Sequence, residues 1–246
     1  MMQADDRDGV RDPPTILVPV AVLEGQTIPD TVVDFLAPAR VVVLGYHVIP
    51  EQTPTEQASL QFEDRARGAV DTIAESFRAA GGDPETRVAF THDRDQTVER
   101  VATDVGATAV LLPNPTGEID DVLVPLRGAI SHSRLADLVA TLLSGSDRQV
   151  TLWGLDTGSD AFDPETAVAD ARARLERRGL PSDRVDVEFS AEAAPLRAIV
   201  DRSAAFDAIV MGAGEPSLLT ALLGEDEERV AEGAVSPVLV VRKTPE

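Results

Sequence analysis

DVLVPL, residues 121–126, is a short apolar run that repeats an earlier one, TILVPV at residues 15–20. Both runs are rich in Val and Leu, and Pro125 stands where Pro19 stands in the first run. Continuous apolar runs of this length, rich in β-branched residues, are typical of strands that are buried on both faces of a sheet. The two runs therefore predict equivalent buried strands in one chain.

The segments that follow both runs continue the repeat in the same order. RVVVLGYHV (40–48) corresponds to QVTLWGLD (149–156), RVAF (87–90) to RVDVEF (184–189), and ATDVGATAVLLPNP (102–115) to DRSAAFDAIVMGAG (201–214). Longer amphipathic segments lie between these runs, and one of them ends in Gly81-Gly82, a typical helix stop. Strands that alternate with helices predict a parallel sheet covered by helices on both faces.

We interpret the repeat as a duplication, with a tail at 1–13, an N-terminal half at 14–117 and a C-terminal half at 118–246. The predicted fold class is α/β: two tandem, open, parallel-sheet, Rossmann-like units. The second half ends in a helix-length segment and a final strand, PVLVV (237–241), whereas the first half passes through PTGEI directly into DVLVPL. The first half is therefore predicted to be trimmed: it lacks the fourth helix, and a fifth strand of its own is not evident. The short linker predicts that the halves pack together as a pseudo-dimer.

The charge balance excludes several classes of partner. Asp and Glu number 43 against 22 Lys and Arg, which gives a net charge of -21, and the one lysine is Lys243. Such a chain is a poor ligand for nucleic acid or anionic membranes, because both need cationic contacts. An acidic, lysine-poor surface is typical of proteins from salt-saturated cytoplasm, where a Debye length of about 3 Å screens self-repulsion. A halophilic source is predicted, and an acidic protein of a mesophile is the alternative.

Cysteine is absent, which excludes disulfides and thiolate chemistry. No apolar run approaches the roughly 20 residues that cross a bilayer. The polar N-terminus lacks the features of a secretory signal. The predicted location is therefore the cytoplasm, with no membrane insertion.

The initial strands ILVPV and VLVPL, the AIVMG strand, a spaced-glycine loop and the terminal PVLVVR together resemble the universal stress protein (UspA-like) family. The resemblance covers nearly all of residues 15–242. It implies an open five-stranded α/β fold of the adenine-nucleotide α-hydrolase-like type, whose members commonly pair through the last strand. It also implies a homodimer or an intrachain pseudo-dimer through Pro237–Val241.

Nucleotide-binding members of this family have a loop of pattern G-x2-G-x9-G-[S/T]. Here one residue separates Gly212 from Gly214, nine residues lie between Gly214 and Gly224, and Glu225 stands at the Ser/Thr position. An ionised carboxylate can only accept hydrogen bonds, whereas Ser or Thr would donate one to a phosphate oxygen. Two like charges 4 Å apart repel by roughly 1 kcal/mol in water and about 4 kcal/mol at a partly shielded site. The loop is therefore predicted to be degenerate, with no tightly bound cofactor.

The resemblance also implies an aspartate just after the first strand, in contact with the adenosine end of the ligand. Ala21 and Arg127 stand at these positions in the two halves. The first prediction of function is a non-enzymatic, universal-stress-type regulatory protein. The alternatives are an ATP- or AMP-binding protein that uses the glycines of the second half with Arg127 in place of the aspartate, and a regulatory interaction module for a membrane transporter.

Other chemistry-bearing patterns favour structural roles. Asp156-Thr157-Gly158-Ser159 copies the aspartic protease signature, but a functional dyad needs two such carboxylates, and the α/β pattern does not fit that all-β enzyme. Asp160, Asp163 and Glu165 follow at a spacing unlike that of an EF-hand, so a solvated loop is predicted. Ser131-His132 lies at a predicted helix start and is interpreted as a helix cap. No catalytic residue and no metal site are predicted.

Overall fold

The structure is a computed structural model that describes residues 13–114, 116–128, 132–158, 162–212 and 236–242. The strands in these ranges are Thr15–Ala21 (β1), Arg40–Val48 (β2), Glu85–Thr91 (β3), Ala109–Leu112 (β4), Asp121–Leu126 (β5), Gln149–Asp156 (β6), Val185–Ala191 (β7), Ala208–Gly212 (β8) and Val238–Val241 (β9). The α-helices are Asp30–Leu36 (α1), Thr55–Ala79 (α2), Arg94–Asp104 (α3), His132–Leu142 (α4), Pro164–Arg177 (α5) and Pro195–Ser203 (α6). Short 3-10 turns follow β1 and precede β7.

Local sequence explains where the helices begin and end. Asp93 precedes α3, and its side chain accepts a hydrogen bond from the backbone N–H of Gln96. At the start of α5, the side chain of Asp163 accepts a hydrogen bond from the backbone N–H of Glu165. Pro164 lies in the first turn of this helix, where a backbone N–H has no partner within the helix, so the missing N–H of proline costs nothing. α2 ends just before Gly81, whose φ of +88° is a left-handed conformation that favours glycine. No helix in the described ranges is long and apolar enough to cross a membrane.

The strands form one nine-stranded sheet in the order β3-β2-β1-β4-β9-β8-β5-β6-β7. All neighbours are parallel except β4 and β9, which are antiparallel. The predicted α/β class is confirmed, and the apolar runs quoted above form the strands. The sequence predicted two tandem sheets, but the nine strands form one continuous sheet. They do so because β9 pairs with β4 on one side and with β8 on the other.

Side chains next to β9 tie distant parts of the chain together. The guanidinium of Arg242 bonds to the carboxylate of Glu99 on α3 and donates to Thr103 Oγ1 at 2.9 Å. The side-chain amide of Asn114, after β4, donates to the carbonyl of Ser236 at 3.1 Å. These bonds hold β9 against elements that lie more than a hundred residues earlier in the sequence.

The helices cover both faces of the sheet. The largest buried cluster combines α1, α2, α4 and α5 with one face, whereas α3 and α6 cover the other face in two smaller clusters. β9 contributes to both faces, because successive side chains of a strand point in opposite directions. Leu239 and Val241 belong to the large cluster, and Val238 and Val240 belong to the cluster under α6.

A carboxylate with two arginine partners joins α4 to α5. Both oxygens of Asp137 accept from Arg174 at 2.7 Å, and Oδ1 also accepts from Arg178 Nε at 3.0 Å. Burial alone raises the pKa of Asp137, but the hydrogen bonds and charges of the two arginines outweigh it, so the pKa lies below its ordinary value. The side chain of Asp137 is only 17% exposed, which makes this pair stronger than an ordinary surface salt bridge.

Asp137→Asn is expected to lower the free energy of unfolding by about 2 kcal/mol at pH 7, because it breaks a charge-assisted bidentate pair. The folded-state pKa is depressed, so this contribution is present above the unfolded pKa of about 3.9 and is lost as the pH falls through the folded pKa. Urea unfolding of the natural chain and of Asp137→Asn between pH 3 and pH 7 measures this contribution. The free energies of unfolding of the two proteins should converge at low pH. The control is Glu176→Gln, which breaks an exposed pair with Arg172 and should change stability by less than about 0.5 kcal/mol. Equal losses of stability in Asp137→Asn and Glu176→Gln would show that the pairing of Asp137 is no stronger than an exposed salt bridge.

Candidate functional site

The sheet has two positions where the order of the strands reverses. β1, β2 and β3 proceed outward in one direction, and β4 then returns to the other side of β1; β5, β6, β7 and β8 do the same. In open parallel sheets, ligands bind in the crevice outside the carboxyl ends of the strands at such a reversal. The structure therefore offers two candidate crevices, one beyond β1 and β4 and one beyond β5 and β8.

In the first half, the chain that follows β1 makes local contacts at the strand end. The backbone N–H of Ala21, the last residue of β1, donates to the side chain of Gln26 at 2.7 Å. Val22 follows and is buried, and Gly25 turns the chain with a φ of +78°. The backbone N–H at the end of β1 is already hydrogen-bonded, and the next side chain, Val22, is apolar and buried. The end of β1 therefore resembles the hydrophobic core more than a polar ligand site.

In the second half, a cationic residue follows the corresponding strand end. Arg127 follows β5 directly and is half-buried. Its Nε and Nη2 atoms are buried and have no hydrogen-bond partner in the described structure. Burial lowers the pKa of the guanidinium, because desolvation disfavours the charged form. Buried donors of this kind are rare in native proteins and need an explanation.

His132, the first residue of α4, lies on the same connection. Its Nε2 atom is buried and has no hydrogen-bond partner in the part of the chain that the structure describes, and its ring centroid is 5.9 Å from that of Phe162. Burial lowers the pKa of the imidazole, and the charge of Asp170 opposes this shift in part. The ring is therefore neutral at pH 7 and has one N–H to donate. The helix cap predicted at Ser131-His132 stays a prediction, because Ser131 lies outside the described residues.

The glycine loop is described only at its beginning. Gly212 ends β8 and is buried, at the same edge of the sheet as the end of β5, because the two strands are parallel neighbours. Gly214, Gly224 and Glu225 lie outside the described residues, so their predicted roles stay predictions. Arg127 and Gly212 are thus the two predicted site residues that the structure places at one crevice edge.

The remaining candidates have local roles. Asp156 Oδ1 accepts from the backbone N–H of Gly158 at 2.8 Å and closes a turn after β6, while Asp163 caps α5. His47 packs edge-on against Phe62 and Phe90 in the first half, far in sequence from His132. Among the described residues, no group of three or more side chains is arranged to hold a metal ion.

No protein-family model and no curated protein matches the sequence. Solved structures do match. A universal stress protein from Archaeoglobus fulgidus DSM 4304 is 14% identical, with a TM-score of 0.61 over 94% of this chain and 97% of that one. A functionally unknown protein from Pseudomonas aeruginosa PAO1 is 15% identical, with a TM-score of 0.49 over 94% and 92% of the two chains. A universal stress protein in complex with cAMP is 20% identical, with a TM-score of 0.37 over 51% and 98%. The first likeness shows that this chain has the fold of a universal stress protein.

Proposed function

We propose that the chain is a non-enzymatic regulatory protein of the universal-stress type, in which only the second half retains a ligand crevice. The observation that carries this proposal is the contrast between the two strand ends. The backbone N–H of Ala21 is bonded to Gln26, whereas Arg127 has two buried donor atoms that find no acceptor within the described ranges. A protein with one such crevice is suited to sense a ligand.

The tandem arrangement is part of the proposal. The strand order β3-β2-β1-β4 in the first half has the same form as β7-β6-β5-β8 in the second, which supports a duplication with a boundary near residue 117. Both edges of β9 are paired within one chain, which favours the intrachain pseudo-dimer over a homodimer through Pro237–Val241. The transporter-linked role, the cytoplasmic location and the halophilic source stay predictions.

Weak binding of adenine nucleotides follows from the chemistry at two positions. Arg127 can only donate hydrogen bonds, whereas the resemblance implies an aspartate that accepts them. Glu225 can only accept, whereas the resemblance implies a hydroxyl that donates to phosphate. A nucleotide in the orientation of the family would thus meet the wrong partner at both of its ends.

Isothermal titration with ATP, ADP and AMP in molar KCl tests the proposal. The natural chain is expected to show no dissociation constant below about 10 µM. Arg127→Asp combined with Glu225→Ser restores the residue types that the resemblance implies, and this double variant should bind ATP at least about ten-fold more tightly, the equivalent of 1.4 kcal/mol. Tight binding by the natural chain, or turnover of the nucleotide, would overturn the proposal.

A further inference from the structure

We propose that copies of this chain associate edge to edge, with β3 of one copy pairing antiparallel with β7 of the next. The two strands are the ends of the nine-stranded sheet, and in the described ranges each pairs with one strand only. β3 runs antiparallel to β7 within the chain, because the antiparallel pair of β4 and β9 reverses the strand direction in the second half. A second copy placed beside the first in the same orientation therefore presents an antiparallel edge, with equivalent faces of the two sheets on the same side.

The outer edge of β3 carries backbone groups that point away from the sheet. The carbonyl of Thr91 accepts from the backbone N–H of Ile49 at 2.8 Å, so the backbone groups of Thr91 point toward β2. In a parallel pair, alternate residues bond to the neighbouring strand and the residues between them point the other way. Thr86, Val88 and Phe90 therefore direct their N–H and C=O groups to the open edge.

The outer edge of β7 has the same arrangement. The backbone N–H of Glu192, directly after β7, donates to the carbonyl of Asp156 on β6 at 2.9 Å. By the same alternation, Val187, Phe189 and Ala191 direct their N–H and C=O groups away from β6. A row of such groups on an edge strand is a template for pairing with another chain. Both edge strands are seven residues long, which is enough for a complete ladder.

One register joins the two edges with matching side chains. Val88 lies opposite Val187 of the next copy, and both valines pack against the same large buried cluster, so they share one face of the joined sheet. Thr86 then lies opposite Phe189, because positions in an antiparallel pair advance in opposite directions. A groove of about 410 Å³ between α2 and β3 is lined in part by Val70, Thr86 and Val88. Phe189 is 52% exposed in the single chain, and this register places it at that groove.

The other face of the same register carries a charge pair. Arg87 lies opposite Glu188 of the next copy, and both side chains are about half exposed in the single chain. Each already bonds to one opposite charge in its own chain, so the contact joins two pairs into a network of four alternating charges. Pairing of β7 with itself around Val187 places Asp186 opposite Glu188, and pairing of β3 with itself around Val88 gives no charge pair. The charges thus favour the head-to-tail join over a two-fold dimer through either strand.

Sedimentation velocity of the full chain from about 1 to 300 µM in molar KCl tests the inference. The salt screens the repulsion between chains that each carry a net charge of -21. The average mass should rise with concentration beyond that of a dimer, because a join of two unlike edges leaves one edge of each kind free. A natural chain that stays monomeric throughout this range overturns the inference.

Two proline variants identify the edges. Val88→Pro and Val187→Pro each remove one outward N–H, a position that proline tolerates on an edge strand, so both variants should keep the urea unfolding transition of the natural chain. Each variant alone should be monomeric, because it keeps only one competent edge. An equimolar mixture should form a dimer and nothing larger. A single variant that dimerises by itself, or a mixture that stays monomeric, overturns the head-to-tail join.

Phe189→Ala tests the same join without a change to the backbone. It should weaken association at least about ten-fold, because it removes the aromatic side chain that the groove receives. Leu60→Ala is the matched control: it removes a side chain that is 90% exposed on α2 and should leave association unchanged. Equal weakening by both variants, or none in Phe189→Ala, overturns the inference.

Discussion

A chain that ends after Val235, and therefore lacks β9, is expected to show no cooperative unfolding transition. The four side chains of β9 are at most 3% exposed, and burial of each contributes about 1.5–3 kcal/mol. Their combined loss equals the entire stability of a typical domain, about 5–15 kcal/mol. The truncation also leaves β4 and β8 with unpaired edges in the middle of the sheet, where water would enter the core.

Circular dichroism during urea unfolding measures this effect. A chain that ends after Arg242 keeps every described residue and serves as the control, with a transition expected to match that of the natural chain. The stability of Leu239→Ala should lie between those of the two shortened chains, because truncation of a buried leucine lowers the free energy of unfolding by about 3 kcal/mol. A sharp, near-native transition in the chain without β9 would show that the two halves do not depend on this strand.

Gly45→Ala is expected to destabilise the protein by about 3 kcal/mol, because it overfills the space between β2 and α2. A Cβ at Gly45 would lie 2.2 Å from Val70 Cγ2 and 3.0 Å from Val22 Cγ1. Both valines are buried, and Val70 is held in the middle of a long helix, so neither can move aside cheaply.

The corresponding glycine of the second half provides the matched control. A Cβ at Gly154 would lie 2.6 Å from Phe189 Cδ1, but that ring is 52% exposed on the edge strand β7 and can turn toward solvent. The contact with the buried Val168 Cγ2, at 3.1 Å, needs a shift of only a few tenths of an ångström. Gly154→Ala should therefore change stability by less than about 1 kcal/mol. Combining Gly45→Ala with Val70→Ala should recover at least about 1 kcal/mol relative to the sum of the single changes. Additive losses would show that Val70 is not the obstacle.

Most of the fold follows from local sequence patterns. The bounds of β2, β5 and β6 agree with the apolar runs at 40–48, 121–126 and 149–156, because a strand buried on both faces is a nearly continuous apolar run with polar residues mainly at its ends. The resemblance to universal stress proteins also indicated Arg127 as a position of interest. These features depend on residues that are close together in the chain.

The joining of the two halves depends on distant contacts and was only partly predictable. PVLVV indicates a strand but not that it has two partners, since strand pairing is decided by the edges that the rest of the fold leaves open. The resemblance likewise implies an acid where Arg127 stands, but it does not reveal that the Nε and Nη2 atoms of Arg127 lack acceptors in the described structure. The bond network of Asp137 was missed for the same reason, because Arg174 lies 37 residues away.

The position of β9 has a consequence for biosynthesis. Asn114, next to β4, and Ser236, next to β9, are 122 residues apart, and a ribosome adds about 5–20 residues per second, so β4 waits on the order of 6–24 s for its neighbour. During that interval the nascent polypeptide exposes an open, apolar edge of the kind that chaperones recognise and that drives aggregation. The first half thus completes its folding only after β9 has been made, although most of it is made much earlier.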